Sequence, residues 1–506
     1  MAYQTTNNVF VTVRIMFRPT IEEAEQIART RQYCMIPISM EMYADIITPI
    51  ELLRILKKNS EHCFMLESAE DSKRWGRYTF LGFDPIMEIT CSDGTMTIVS
   101  DSSRQFKTAD PSEHLRKILE DHKAPRIDYL PPFAGGFVGY FSYDYIKYSE
   151  PALSIEADDI EGFNDIDLML FDKVIAFDNY RQKIILITNV RADDLRNDYA
   201  KGVEKLKNMK ELILNGIPDR ELPVKLMSEF TSLFTEDEFC RMVEKAKDHI
   251  IEGDIFQVVL SNRLEADYVG GLLDAYRALR TTNPSPYMFY LRGHDIEVMG
   301  SSPETLVKLQ DGKVYTFPLA GTRSRGRTAE EDAALEKELL SDEKELAEHN
   351  MLVDLGRNDL GKICKFGTVS VERYLSVLRF SHVMHIGSTV CGDILDDKNG
   401  IDAINAVLPA GTLSGAPKMR AMQIIDGLEN CRRGIYGGAI GYLDLAGNAD
   451  TCIAIRIAYK KNGKVFVRAG AGIVADSSPM LEYKECVNKM AAVRNAIETT
   501  KECASR

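Results

Sequence analysis

The clearest apolar stripe in the chain follows Thr235, where Phe239, Met242, Val243, Ala246 and Ile250 recur at helical spacing. Thr235 and Glu238 form a capping box ahead of it, and Gly253 closes it. Residues 255–260 (IFQVVL) then read as a strand. More β-runs follow, with hairpin turns at Asp311-Gly312 and Asn462-Gly463. The last helix is expected to start at Ser478-Pro479, an N-cap and first-turn pair. The first half mixes the same two periods. TPIELLRILKK reads as a helix, HCFMLES as a strand, and KVIAFDNYRQKIILITNV as a hairpin turning near Asp178-Asn179. A charged helix (RADDLRNDYAKGVEKLKNMKELILNG) leads into residues 217–223 (IPDRELP), which read as a linker. The expected division is an N-terminal domain over 1–225, with a short extension before about Arg18, and a C-terminal domain over 226–506. Hairpins mixed with helices point to an α+β fold with antiparallel sheets.

Composition narrows the function classes. With 506 residues, 45% of them hydrophobic, the chain can bury one large core or two. A formal net charge of −14 argues against a nucleic-acid-binding surface, yet it leaves room for a small anionic substrate in a locally cationic cleft. The 10 cysteines are scattered without a CxxC pair, the usage of reduced thiols in the cytoplasm. No signal-peptide core and no bilayer-length apolar run stand out, so a soluble protein with no membrane contact is expected. GxGxxG in a βαβ setting, GxxxxGK[ST], HExxH and a nucleophile elbow are all missing. So is any Cys/His apparatus of a glutamine amidotransferase.

The most informative chemistry is a doubled carboxylate spacing. Glu345 and Glu348 lie three apart in ELAEHNMLVDL, and Glu482 and Glu485 repeat the interval in LEYKECVNKM. Residues three apart share a helix face, so each helix can aim two carboxylates at one point. Taken singly, each pair reads better as a solvated helix face. Four carboxylates converging on one site would instead call for a hard cation such as Mg²⁺.

The run from about Thr235 to Lys489 resembles the chorismate-utilising enzymes, in particular anthranilate synthase component I. The matching segments include NPSPYMFYL, GSSPETLVKL, FPLAGTRSRGR, ELAEHNMLVDLGRNDLG, SHVMHI, LPAGTLSGAPK, YGGAIGYLD, CIAIRIA, RAGAGIVADS and LEYKE. The resemblance implies antiparallel sheets packed as a sandwich flanked by helices, with an N-terminal regulatory domain. It implies Mg²⁺ held by Glu348 and Glu485, with Glu345 and Glu482 supporting it through water or outer hydrogen bonds. Arg456, in a strand-like apolar run, suits the enolpyruvyl carboxylate of chorismate. Gly470, Ala471 and Gly472 would let backbone N–H groups approach a carboxylate. Gly321, Thr322 and Tyr436 are implied as substrate hydrogen-bonding residues, and Lys489 as a neutralising cation. Glu304 and His385 are implied as the proton-handling pair, although Glu304 equally suits a turn cap and a histidine in an apolar run is often structural.

Two positions choose within the family. Gln257 stands where the water-adding branches carry a basic Lys, and Ala320 stands where aminodeoxychorismate-forming relatives carry a nucleophilic Lys. The reading is therefore conversion of chorismate and ammonia to anthranilate and pyruvate, the first committed step of tryptophan biosynthesis. The alternatives are aminodeoxychorismate synthase component I and a non-catalytic amino-acid sensor. Glu67 and Ser68 after Leu66, with Pro286, Tyr287 and Met288, match the family's L-tryptophan inhibitor site. A Glu and a Ser there suit an ammonium, and Met and Tyr suit an indole. The missing glutaminase apparatus implies a partner glutamine amidotransferase subunit that supplies ammonia.

Overall fold

The computed structural model describes residues 16–69, 75–220, 222–379 and 383–500. The extension expected before about Arg18 thus lies mostly outside the described residues, as do the first two residues of SHVMHI. From Arg18 onward the chain is anchored, its amide donating to the carbonyl of Ser39 at 2.9 Å.

Period-2 alternation over many short segments builds two large sheets, one of 13 and one of 12 strands among the described residues. Their named strand pairs are antiparallel, so the fold is the expected α+β one. The sheets face each other over a core that includes Phe64, Phe133, Phe171, Phe289 and Tyr442. A second core seals the other face of the 13-stranded sheet beneath helices Pro49–Asn59, Leu195–Asn215, Leu273–Thr282 and Pro479–Glu498.

Local signals read from the sequence form as expected. Thr235 accepts from the Glu238 amide at 3.3 Å, and Glu238 accepts from the Thr235 amide at 2.8 Å, opening helix Glu236–Ile251. Asp311-Gly312 and Asn462-Gly463 turn their hairpins with both residues at positive φ, as the tight turn requires.

Both sheets run across the division at 225/226. Strand Cys63–Glu67 pairs with Tyr287–Arg292, setting Glu67 opposite Met288. Strand Gly136–Phe141 pairs with Ala439–Asp444 in the other sheet. A Pro-containing linker marks where the chain runs over the surface, and strand pairing is free to cross it.

The chain passes from the 13-stranded to the 12-stranded sheet between strands Glu297–Ser302 and Thr305–Gln310. It returns between Ala449–Ile453 and Ile457–Lys461. Arg456 is therefore not in a strand, as its apolar neighbours led us to expect. It sits at the return crossing with φ of +52°, a left-handed conformation that ends pairing and turns the side chain out of the ladder.

Candidate active site

A cavity of about 770 Å³ opens beside these two crossings. Helix Glu343–Gly361, capped by Asp342, packs on strands Leu319–Ser324 and Val383–Asp393 and supplies Glu345 and Glu348. Helix Pro479–Glu498 packs on strand Lys464–Ile473 and supplies Glu482, Glu485 and Lys489. All four glutamates line the one cavity. The helix spacing that paired them in sequence holds in space.

Their electrostatics fit a cation. Burial pushes the Glu348 carboxyl up; a hydrogen bond from Gln257 at 3.3 Å opposes this, and the charges of Glu345 and Glu485 add to it. Burial likewise raises Glu482, with Glu485 adding to the effect. Glu485 is paired to Lys489 at 2.7 Å and Glu345 to Arg323 at 3.3 Å. The four carboxylates do not close into a tight ligand cage. Among the described residues the trio whose donor atoms fall within 4.8 Å of one another is His249, Glu252 and Asp254. In that trio Asp254 is already held by Arg420 at 2.5 Å. An open set of all-oxygen donors, leaving positions for water and substrate, is the arrangement that suits Mg²⁺.

Glu304 occupies the first crossing. Burial raises its carboxyl to about 7, while the Thr412 hydroxyl, donating at 3.1 Å, and the charges of Lys489 and Arg456 pull the other way. A carboxylic acid protonated near neutrality is the form that can deliver a proton to a leaving group. His385 stands opposite Thr322 in the strand pair, its Nδ1 3.0 Å from the Gly321 carbonyl and 3.1 Å from the Thr322 hydroxyl. Burial lowers its pKa, and Arg456 adds to this, so the imidazole is neutral at pH 7.

Arg456 is mostly buried, and burial depresses its pKa with Glu304 as the opposing charge. Among the described residues no protein acceptor hydrogen-bonds its guanidinium. A buried, unpaired fork of this kind is an anion site. Two glycines make the opposite walls passable. A Cβ on Gly321, at φ +67°, would lie 3.1 Å from the Glu345 carboxylate, and one on Gly472 would lie 2.8 Å from the Gln257 amide. Gly472, Gly321, Thr322, Gln257 and Ala320 all line the cavity. Gly470, Ala471 and Tyr436 sit behind that wall. Lys489 donates to the Gly470 carbonyl at 3.0 Å, Ala471 packs into the core under helix Glu236–Ile251, and the Tyr436 hydroxyl lies 3.1 Å from the Cβ position of Gly470.

A second cavity of about 450 Å³ lies between the sheets. Leu66, Glu67, Ser68, Pro286, Tyr287 and Met288 all border it, so the two short motifs meet across paired strands. Alternation divides their side chains. Glu67 turns to the helix layer, where its carboxylate accepts from Tyr276 at 2.6 Å and from Arg280 at 2.6 and 2.9 Å. Met288, opposite it, joins the helix-side core. The carboxylates lining the cavity from elsewhere are Asp128 and Asp450, the latter accepting from Tyr287 at 2.7 Å. Pro286 lines both cavities, and Ser285, whose carbonyl accepts from Ala69 at 3.1 Å, lines the larger.

Sequence reasoning missed the platform behind the glycine strand. Glu429, Arg433 and Arg468 are fully buried together, with Arg433 2.6 Å and Arg468 2.7 Å from the Glu429 carboxylate. Glu429 and Arg433 lie four apart, but Arg468 comes from a separate strand, so no local spacing signals that the three will meet.

The profile of the chorismate binding enzyme family matches residues 61–495. Anthranilate synthase component 1 of Acetivibrio thermocellus is 46% identical over 492 residues, covering 96% of this chain and 99% of that one. The protein of the same name from Aquifex aeolicus is 43% identical over 492 residues, covering 96% and 98%. The crystal structure of anthranilate synthase component I from Streptococcus pneumoniae superposes with a TM-score of 0.73 at 37% identity, covering 89% of this chain and 98% of that one.

Proposed function

The chain belongs to the chorismate binding enzyme family, and we propose that it converts chorismate and ammonia to anthranilate and pyruvate. The observation that carries this reading is the content of the 770 Å³ cavity. It combines an acid near pH 7, an unpaired buried arginine and four glutamates with a Gln at position 257 and an Ala at 320. Gln257 cannot serve as a base for water, and Ala320 cannot attack the ring. Ammonia is already a nucleophile and needs neither.

In this reading Arg456 holds the enolpyruvyl carboxylate through its planar fork. Glu348 and Glu485 would hold Mg²⁺, with Glu345 and Glu482 outside them. When bound, the ion would neutralise the ring carboxylate and polarise the ring. Glu304 gives its proton to the C4 hydroxyl as ammonia bonds to C2, so that the oxygen departs as water. His385, with its Nδ1 hydrogen directed to the Gly321 carbonyl, stands in the cavity wall beside the ring region. The C2 hydrogen then leaves as a proton while the C3–O bond breaks, and the enolpyruvyl group departs with that electron pair and takes up a proton as pyruvate, leaving an aromatic ring.

The smaller cavity supports feedback inhibition by L-tryptophan. Leu66 and Tyr287 offer apolar faces, and Asp450, which accepts from Tyr287 and has Lys308 at 3.5 Å, offers an anionic partner for the ammonium, whereas both oxygens of Glu67 are held by Arg280. Pro286, shared by the two cavities, gives inhibitor and substrate a common wall. Ammonia would come from a separate glutaminase subunit.

The test is a product assay with purified protein, chorismate, Mg²⁺ and ammonium, with and without L-tryptophan. Anthranilate fluorescence that L-tryptophan suppresses is the expected result. A 4-amino-4-deoxychorismate product, or no turnover, would overturn the reading.

A further inference from the structure

Behind Glu304 lies a separate small cavity of about 50 Å³. Glu304, Thr412 and Leu352 line both it and the large cavity, so the acid stands in the partition between them. The far walls include Thr316 and Asp359. Thr316 is 5% exposed, and its hydroxyl has no hydrogen-bond partner among the described residues. Asp359 is buried, accepts from Lys418 at 2.9 Å and lies 3.7 Å from Lys362, whose side chain is half exposed. The space exceeds the volume one water needs and is bordered by three or more polar groups, which is the condition for a hydrated cavity.

We propose that this cavity is the route by which Glu304 regains its proton from solvent while substrate occupies the large cavity, with Thr316 and Asp359 as positioning residues for the relay water. The inference rests on Glu304 being the acid. In that step Glu304 loses a proton to the C4 oxygen, which leaves as water with the C–O electron pair. Ammonia's lone pair forms the C2–N bond, and the resulting ammonium sheds one proton. No proton is consumed overall, but Glu304 is left ionised and the released proton appears at a different atom. Chorismate in the large cavity excludes water from that side of Glu304. The rear cavity joins the carboxyl, through water held by Thr316, to Asp359 and the half-exposed Lys362.

The experiment compares wild type, Thr316→Val and Thr316→Ser in two regimes, with Glu304→Gln as control. With enzyme in excess over chorismate, one turnover uses the proton already on Glu304, so Thr316→Val should match wild type. In steady state its kcat should fall about tenfold, with a larger solvent deuterium isotope effect and an unchanged KM for chorismate. Thr316→Ser, which restores the hydroxyl, should recover the rate. A Thr316→Val enzyme with wild-type steady-state kcat overturns the route. So does an equal loss in both regimes, or a failure of Thr316→Ser to rescue, since each marks mere structural damage. If Glu304→Gln keeps the wild-type single-turnover rate, the assignment of the acid itself falls and takes the route with it.

Discussion

The carbonyl of Glu304 accepts the amide hydrogen of Ile453 at 3.0 Å, tying together two of the crossings between the sheets. The Ser301 amide adds a second tie, to the Arg456 carbonyl at 3.1 Å. The acid and the anion-binding arginine are thus fixed to each other by backbone bonds, which positions them without relying on their flexible side chains. Strands that stop pairing at a crossing leave side chains pointing into open space, and that space is the cavity.

Glu304 should set the upper pH limb of the reaction. Its protonated form is the active one and its pKa is raised to about 7, so kcat/KM for chorismate should fall as pH rises through that value. The profile must be measured at constant free ammonia, because ammonium itself deprotonates over alkaline pH. Glu304→Gln should lower kcat by about 10²–10⁴-fold and abolish the limb. A limb that survives in the Gln variant would assign it to another group.

Metal dependence should separate the inner from the outer glutamates. Chelation should abolish turnover and added Mg²⁺ restore it. Glu348→Gln and Glu485→Gln should lose activity at any practical Mg²⁺ concentration. Glu345→Gln and Glu482→Gln should remain active but need about 10–100-fold more Mg²⁺ for half-maximal rate. Identical Mg²⁺ curves for all four variants would remove the distinction.

Much of this site was legible because its parts are local. A spacing of three places Glu345 with Glu348 and Glu482 with Glu485 on their helix faces whatever the tertiary fold. Capping at Thr235 and turns at Asn462-Gly463 are equally local. What could not be read depends on which strand meets which. The pairing of Cys63–Glu67 with Tyr287–Arg292 joins segments more than 200 residues apart, and it commits the Glu67 carboxylate, at the border of the smaller cavity, to Arg280. Arg456 looked like a strand residue because its neighbours are apolar, but those neighbours belong to two different sheets.

Inhibition should follow the groups that line the smaller cavity. Asp450→Asn removes a negative charge there while keeping an acceptor for Tyr287. It should raise the L-tryptophan concentration for half-inhibition about tenfold or more, the cost of one charge-assisted hydrogen bond, with uninhibited kcat/KM within about twofold of wild type. Unchanged inhibition would exclude Asp450 as the ammonium partner.

The buried charge cluster should matter for stability through Glu429. Burial alone would push its carboxyl up, but Arg433 and Arg468 outweigh that and hold it below the usual range. Because its folded pKa is depressed, its contribution is present above the unfolded value near 4.5 and is lost as pH falls through the folded one. Glu429→Ala leaves two guanidinium groups buried without their carboxylate, which costs about 3–5 kcal/mol. Acid unfolding of wild type should therefore include a component that Glu429→Ala lacks, and the variant's midpoint in urea should drop sharply at pH 7. The activity of its remaining folded fraction should also fall, because Arg468 lies in the strand that carries Gly472 to the cavity wall. A Glu429→Ala protein as stable as wild type would mean that the two arginines find water or other acceptors, and that the strand is held by its pairing with Gln257–Val269 and Ile457–Lys461.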